Sequence, residues 1–322
     1  MVLMLHFRIL RVLIWLLVTI NVQAQQSEKK PLITIGKFEK IFDQSIGEND
    51  TWYINDHCFI QAGDGQWHMI GITGREAPHP WDESNFAHAV AESLTGKWEK
   101  KKYALRVRPD LNETVLWAPH IVKHNDLYYM FYCGGHPDHR KYQINLAVSN
   151  DLYEWKRYAG NPIFMDGYDA RDPFIFRDEI NNRWIMYYTA TSKPEGGYRI
   201  VAAKISYDLL NWSQDRYVVF KDLTDKGTWG GNTESPIVIQ REDWYYLFIG
   251  PGPNYKTTKV YRSRDPFNWD IEDEVAVLEA HAPEIIQYKD KWYISHCGLK
   301  QGGLYLAPLY WHDELEEKLK EK

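Results

Sequence analysis

"ARDPFIFRDEINNRWIMYYTA", residues 170–190, sets Asp172 directly before a Pro at the head of an apolar run. Phe174, Ile175 and Phe176 read as a buried strand, Asp178 to Asn182 as a polar turn, and Trp184 to Tyr188 as an aromatic-rich return strand. Turn chemistry and strand composition together make this a β-hairpin. A lone Asp-Pro is an ordinary turn, so what matters is whether the pattern recurs. It does. "WAPHIVKHNDLYYMFYCGG" starts at Trp117, "TESPIVIQREDWYYLFIGP" at Thr233 and "HAPEIIQYKDKWYISHCG" at His281. "INDHCFIQAGDGQWHMIGITG" starts at Ile54 and has His57 where the others have Pro. Self-similarity at a regular period is the mark of a repeat architecture.

A second element follows the hairpin: Ser149/Asp151/Trp155, Ser206/Asp208/Trp212 and Ser263/Asp265/Trp269, with a looser version at Ser93 and Trp98. The Ser and Asp side chains can close a turn on the backbone, and the Trp is then placed to pack on a neighbouring sheet. Three to four strands per unit, five times over, predict an all-β fold, a five-bladed β-propeller. The segment from Leu32 to Phe42 is expected to supply or close a strand at the ring seam, and the charged tail from Asp313 to Lys322 to be a solvated helix end. Cys133 and Cys297 hold equivalent places in blades two and five, which are not neighbours, so a disulfide between them is not expected. An odd total of three Cys fits free thiols.

Composition agrees with this. Aromatic residues make up 15% of the 322, which suits β-packing and also sugar-binding surfaces. A net charge of -6 gives no footprint for nucleic acid or anionic membrane. Arg8 and Arg11 precede the apolar run Val12–Val18, and Val22-Gln23-Ala24 offers small residues at a cleavage position. Residues 1–24 therefore read as a signal peptide and residues 25–322 as a single propeller domain. The expected location is secreted or periplasmic, with no membrane contact after cleavage. The expected state is a monomer.

In a propeller the first strands of all blades start at one end of the channel. Aligned on the blade-head Pro (or His57), the preceding residues are Asp56, Ala118, Asp172, Ser235 and Ala282. One position earlier stand Asn55, Trp117, Arg171, Glu234 and His281. Asp172 thus gains company: Asp56 and Glu234 are expected at the same rim. Carboxylates around one funnel repel each other and split their pKa values. Acid/base chemistry needs that split, and cleavage of a glycosidic bond uses such a pair.

With these residues in view, the chain resembles the five-bladed propeller glycoside hydrolases of families 43 and 32. The blade-one "ND", the "RDP" of blade three and the "ESP" of blade four match their three-carboxylate pattern, and "WAPH" looks like the "WAP" motif of family 43. "NDH" replaces the "NDPNG" typical of family 32, and the C-terminal β-sandwich usual there is missing, which leans the resemblance to family 43. It implies a hydrolase with carbohydrate as its partner. Arabinofuranosides come first as substrates and xylosides second; the alternatives are a retaining family-32-like fructosidase or a non-catalytic sugar-binding propeller.

The roles follow. Glu234 is expected as general acid. Asp56 is expected as general base in an inverting scheme or nucleophile in a retaining one. Asp172 would orient the sugar and raise the pKa of Glu234. Arg171 would clamp Asp172 or a sugar hydroxyl. Trp117, Trp229 and His281 are candidate pocket walls. In "WGGNTESP", Gly230 and Gly231 allow close backbone approach, and Asn232 offers a hydrogen bond to substrate. His57 reads as a core histidine. The loops around "HPWDES" and "GGHPDHR" are candidates to line a subsite. No cofactor is expected to be required. The resemblance allows a structural calcium in the central channel near His281, but the sequence shows no acidic loop of calcium spacing.

Overall fold

The computed structural model describes residues 31–77, 79–227, 231–250, 255–297 and 302–312. The expected signal peptide, the charged tail and Trp229 lie outside these residues.

The described chain opens with β1 (Ile33–Ile35) and β2 (Glu39–Phe42). Blade one is β3 (Trp52–Gln61), β4 (Trp67–Arg75) and β5 (Asn85–Ala91), with the short β6 (Glu99–Lys100) and β7 (Leu105–Arg106) both on β5. Blade two is β8 (Val115–His124), β9 (Leu127–Gly135), β10 (Gln143–Ser149) and β11 (Lys156–Arg157). Blade three is β12 (Arg171–Asp178), β13 (Arg183–Lys193), β14 (Gly196–Ser206) and β15 (Tyr217–Gly227). Blade four is β16 (Ile237–Arg241), β17 (Trp244–Ile249), β18 (Thr258–Ser263) and β19 (Glu274–Leu278). Blade five is β20 (Ile285–Tyr288), β21 (Lys291–His296) and β22 (Leu304–Trp311).

Every blade is an antiparallel meander, and blade five is completed by the start of the chain. Both β1 and β2 pair with β22, with Ile33 opposite Trp311 and Glu39 opposite Leu306. The Leu32–Phe42 segment therefore closes the ring as the sequence suggested. Leu32 also reaches blade four, donating its N–H to the Val275 carbonyl at 3.2 Å.

Blades stack face to face, so their second strands are covered on both sides. Such strands read as unbroken apolar runs rather than alternating ones. Tyr128 to Gly135 of β9 and Trp184 to Thr191 of β13 are buried throughout. The Ser–Asp–Trp element is the hinge into each outer strand. In blade two, the Ser149 hydroxyl accepts from Leu152 N, Asp151 Oδ1 accepts from Tyr153 N, and the Trp155 indole donates to the Leu152 carbonyl at 3.0 Å. Blade three repeats it with Ser206, Asp208 and Trp212, and Trp212 meets Phe131 of the neighbouring blade edge-on at 5.6 Å. Cys58, Cys133 and Cys297 are all buried and free.

The first strands β3, β8, β12 and β16 abut in sequence around a central channel. At their heads the ladder is interrupted: register shifts fall between Ile54 and His57, Trp117 and His120, and Arg171 and Phe174. The residue before the blade-head Pro is left-handed in four blades: φ is 47° at Ala118, 58° at Asp172, 47° at Ser235 and 39° at Ala282. That conformation costs a non-glycine residue roughly 1–2 kcal/mol. It is tolerated because a bulge re-aims a side chain; here it turns these positions into the mouth.

Below the mouth, His57 behaves as a core histidine. Its Nδ1 faces the Asn55 carbonyl at 3.1 Å and its Nε2 the Ser295 hydroxyl at 2.7 Å. His120 packs on the Phe174 ring at 4.4 Å. Desolvation lowers its pKa to about 4, against the roughly 6.5 of an unfolded histidine. A depressed histidine gives stability that is complete above pH ~6.5 and lost as pH falls toward the folded value. The stability advantage of the natural protein over His120→Gln is therefore expected to shrink by about 2 kcal/mol from pH 7 to pH 5. Urea unfolding of both proteins at the two pH values checks this; a pH-independent difference would show that His120 does not sit neutral.

Candidate active site

Asp56 (β3), Trp117 (β8), Arg171 and Asp172 (β12), Glu234, Ser235 and His281 converge from all five blades on one open pocket. Asn55, Ile72, Pro80, Glu83 and Tyr255 complete its lining. All three expected carboxylates are there. They form one hydrogen-bonded chain. The Ser235 hydroxyl donates to Asp56 Oδ1. The Ser235 backbone N–H donates to Asp172 Oδ2 at 3.1 Å. Arg171 Nη1 donates to the same Asp172 oxygen at 2.6 Å, and Arg171 Nη2 donates to Glu234 Oε1. Arg171 Nε reaches Asp169 Oδ1 at 3.2 Å. One guanidinium thus serves three buried carboxylates, in the forked geometry that only Arg offers.

The charge balance follows from burial and from that cation. Burial pushes Asp172 up to about 7; Arg171 opposes the rise, and Asp56 and Glu234 add to it. Burial also raises Glu234, opposed by the Arg171 charge and hydrogen bond, with Asp169 and Asp56 the carboxylates that lift it most. Arg171 lies between Asp172 and Glu234 and screens each from the other. Both donors to Glu234, Arg171 and the Gly231 N–H at 3.2 Å, go to Oε1. Among the described residues no donor reaches Oε2. Gly231 has φ of +125°, and a Cβ there would meet Asp225 Oδ2 at 2.1 Å, so only glycine brings this N–H to Glu234.

The walls are mixed. Trp117 lines the pocket as expected and contacts Trp81 of the "HPWDES" loop at 5.5 Å. His281 stands opposite, its Nε2 3.1 Å from Asn55 Oδ1. Burial pushes its pKa down to about 4, so the ring is neutral at pH 7. Tyr255, which no blade-head alignment marks, lies edge-on to His281 at 5.0 Å, and the neighbouring Glu234 charge drives its hydroxyl up to about 12. Asn232 is not among the lining residues. Its side-chain amide donates to Asp222 Oδ2 at 2.9 Å and its N–H to Asp225 Oδ2 at 3.1 Å, so it ties its loop to β15 and does not line the pocket. Trp229 lies outside the described residues.

As for the calcium that the resemblance allows, the described residues contain no group of three or more His, Cys, Asp or Glu placed to hold an ion. His281 spends its Nε2 on Asn55. Among the described residues its Nδ1 is buried without a hydrogen-bond partner.

A ring of five meanders with a carboxylate-lined pocket at the blade heads defines the class of five-bladed propellers to which the carbohydrate-active families 43 and 32 belong. Residues 91–268 match the model of glycosyl hydrolases family 43, and the chain belongs to that family. Asp172 and Glu234 fall inside the matched region; Asp56 and His281 flank it. An extracellular endo-α-(1→5)-L-arabinanase of Thermotoga petrophila is 27% identical over 261 residues, 66% of this chain and 49% of that protein. A 1,2-β-oligomannan phosphorylase of a Thermoanaerobacter species is 26% identical over 178 residues, 54% of each chain. The chain spans about half the length of these curated relatives. A family 43 β-xylosidase/α-arabinofuranosidase from a compost metagenome, solved with xylotriose, superposes with a TM-score of 0.63 at 15% identity, over 87% of this chain and 94% of that one. That likeness shows the fold. No helix among the described residues is long and apolar enough to cross a membrane.

Proposed function

We propose that the protein is a secreted glycoside hydrolase that cleaves arabinofuranosides first and xylosides second, acting as a monomer. The observation that carries this is the chain Asp56–Ser235–Asp172–Arg171–Glu234, which joins three carboxylates from three blades in one pocket. Glu234 is the general acid: burial raises its pKa, and Oε2 holds the proton for the leaving oxygen. Asp56 is the base, half-buried at the opposite side of Ser235 and oriented by its hydroxyl. Asp172, held by Arg171 and Ser235, orients the sugar. Trp117 offers an apolar ring to a sugar face. The Arg8/Arg11-led apolar run and the extracellular arabinanase relative support secretion.

The test is a panel of arabinofuranosides, xylosides, galactosides and fructans, with the product anomer read by NMR in the first minutes. Turnover of an arabinofuranoside or xyloside with inversion is expected. Retention on a fructan would move the reading to a family-32-like fructosidase, with Asp56 as nucleophile. Turnover only with added phosphate would move it to phosphorolysis, the reaction named for the oligomannan relative. Sugar binding without turnover would leave a binding propeller.

A further inference from the structure

We propose that Glu83 is a fourth carboxyl group of the site, a neutral acid that donates a hydrogen bond to a sugar hydroxyl on the Asp56 side of the pocket. This rests on the reading of the pocket as a sugar site.

Glu83 holds no repeat position. It follows the 3-10 turn Pro80–Asp82 in the loop between β4 and β5. Its backbone carbonyl accepts the Leu116 N–H at 2.9 Å, which pins the loop to the head of blade two. The residue is only 2% exposed, yet it lines the pocket beside Ile72, Pro80 and Trp117. A buried polar group on a ligand pocket needs a partner, and two neighbours can donate to Glu83, the Tyr53 hydroxyl and the Trp117 indole. Oε1 accepts the hydroxyl of the fully buried Tyr53 at 2.9 Å. Tyr53 fits because residue 74 is glycine: a Cβ there would lie 2.4 Å from the phenol oxygen. Among the described residues no Arg or Lys forms a salt bridge with Glu83, while the site's buried guanidinium is spent on Asp169, Asp172 and Glu234. A buried carboxyl without a cation keeps its proton, and a protonated carboxyl can donate where a carboxylate only accepts.

The electrostatics agree. Burial is the main influence and pushes Glu83 up to about 8. The Tyr53 hydroxyl opposes it, Asp56 adds to it, the hydrogen bond from the Trp117 indole opposes it and Asp82 adds to it. These groups face Glu83 from β3, the 3-10 turn and β8; the remaining charged or titratable lining groups are Arg171, Asp172, Glu234, Tyr255 and His281. Glu76 bears on Tyr53 rather than on Glu83.

Calorimetric titration with arabinotriose and xylotriose between pH 6 and pH 10 tests this, in a Glu234→Gln background so that the sugars are not consumed. The dissociation constant is expected to rise by roughly five- to tenfold in all as pH passes ~8 and then to level off, as the donated proton is lost. Glu83→Gln keeps an N–H donor and a carbonyl for Tyr53, so its affinity is expected to stay flat above pH 8. Glu83→Ala is expected to bind roughly five- to tenfold more weakly at pH 7, with its fold checked by thermal melting. Tyr53→Phe removes a donor that favours the charged form, and the break is expected to move to higher pH. Asp172 titrates in all these proteins and cancels in the comparison. A break that persists in Glu83→Gln, unchanged affinity in Glu83→Ala, or no binding of either trisaccharide would overturn the inference. A Glu83-dependent break in a protein that hydrolyses nothing would sustain it while the hydrolase reading fell. Hydrolysis indifferent to Glu83 would do the reverse.

Discussion

Glu234→Gln is expected to lower kcat on an unactivated arabinofuranoside by roughly 10²–10⁴-fold, while sugar affinity changes by less than about threefold. The glutamine keeps the shape and still accepts from Arg171 Nη2 and the Gly231 N–H through its carbonyl oxygen. It cannot deliver a proton to the departing oxygen. A nitrophenyl leaving group needs no such proton, so the same substitution should cost far less on an aryl glycoside. Steady-state kinetics on both substrate types decide the matter. An equal loss on the two would mean that Glu234 binds or positions but is not the acid. Its pH profile carries a second sign. Burial raises the carboxyl, so activity of the natural protein should fall on the alkaline side as Glu234 ionises, and the residual activity of the variant should lack that limb.

Arg171→Met is the second large effect. The guanidinium is 9% exposed and bonds Asp169, Asp172 and Glu234, which are buried themselves. Methionine fills much of its volume, so the cost is electrostatic: Asp172 and Glu234 stay in a low-dielectric pocket without their cation, while Asp169 keeps Arg199 at 3.6 Å. Removing one partner of a buried ion pair costs roughly 3–5 kcal/mol, and that is the expected loss of unfolding free energy near pH 8. The pH trend is the diagnostic part. Without Arg171 the folded-state pKa values of Asp172 and Glu234 rise further above their unfolded values. Groups raised in this way give stability at low pH and lose it as pH rises through the folded value. The deficit of the variant should therefore shrink from pH 8 to pH 5, read by chemical denaturation at both. A deficit independent of pH would point to lost packing.

The fold was legible because the repeat is written in residue types with mechanical roles. Ser, Asp and Trp close the outer turns, aromatic residues fill strands covered on both faces, and Pro marks four of the five blade heads. The same alignment placed Asp56, Trp117, Arg171, Asp172, Glu234 and His281 around one mouth, and the structure brings them together there. What escaped lies off the repeat. Glu83 and Tyr255 reach the pocket from loops, whose paths follow from tertiary packing rather than from periodicity. "HPWDES" was polar and aromatic enough to mark a lining loop, but nothing in its spelling says that Glu83 turns inward to Tyr53. Asn232 failed for a related reason. It stands two residues from Glu234, yet its N–H and its side-chain NH2 are turned to Asp225 and Asp222 across the loop. The left-handed blade-head residues were invisible too, since neither Ala, Asp nor Ser before a Pro announces that conformation.

Those four left-handed residues hold nearly the same backbone setting in four blades and carry Ala, Asp, Ser and Ala in turn. They act as sockets of one standard fitting, into which different tools are plugged. At Ala118 and Ala282 the socket is nearly bare, and both line a second, smaller cavity that shares Asp56, Asp172 and Ser235 with the mouth. The frame thus carries different side chains at one repeated backbone position, with the ring the same around each.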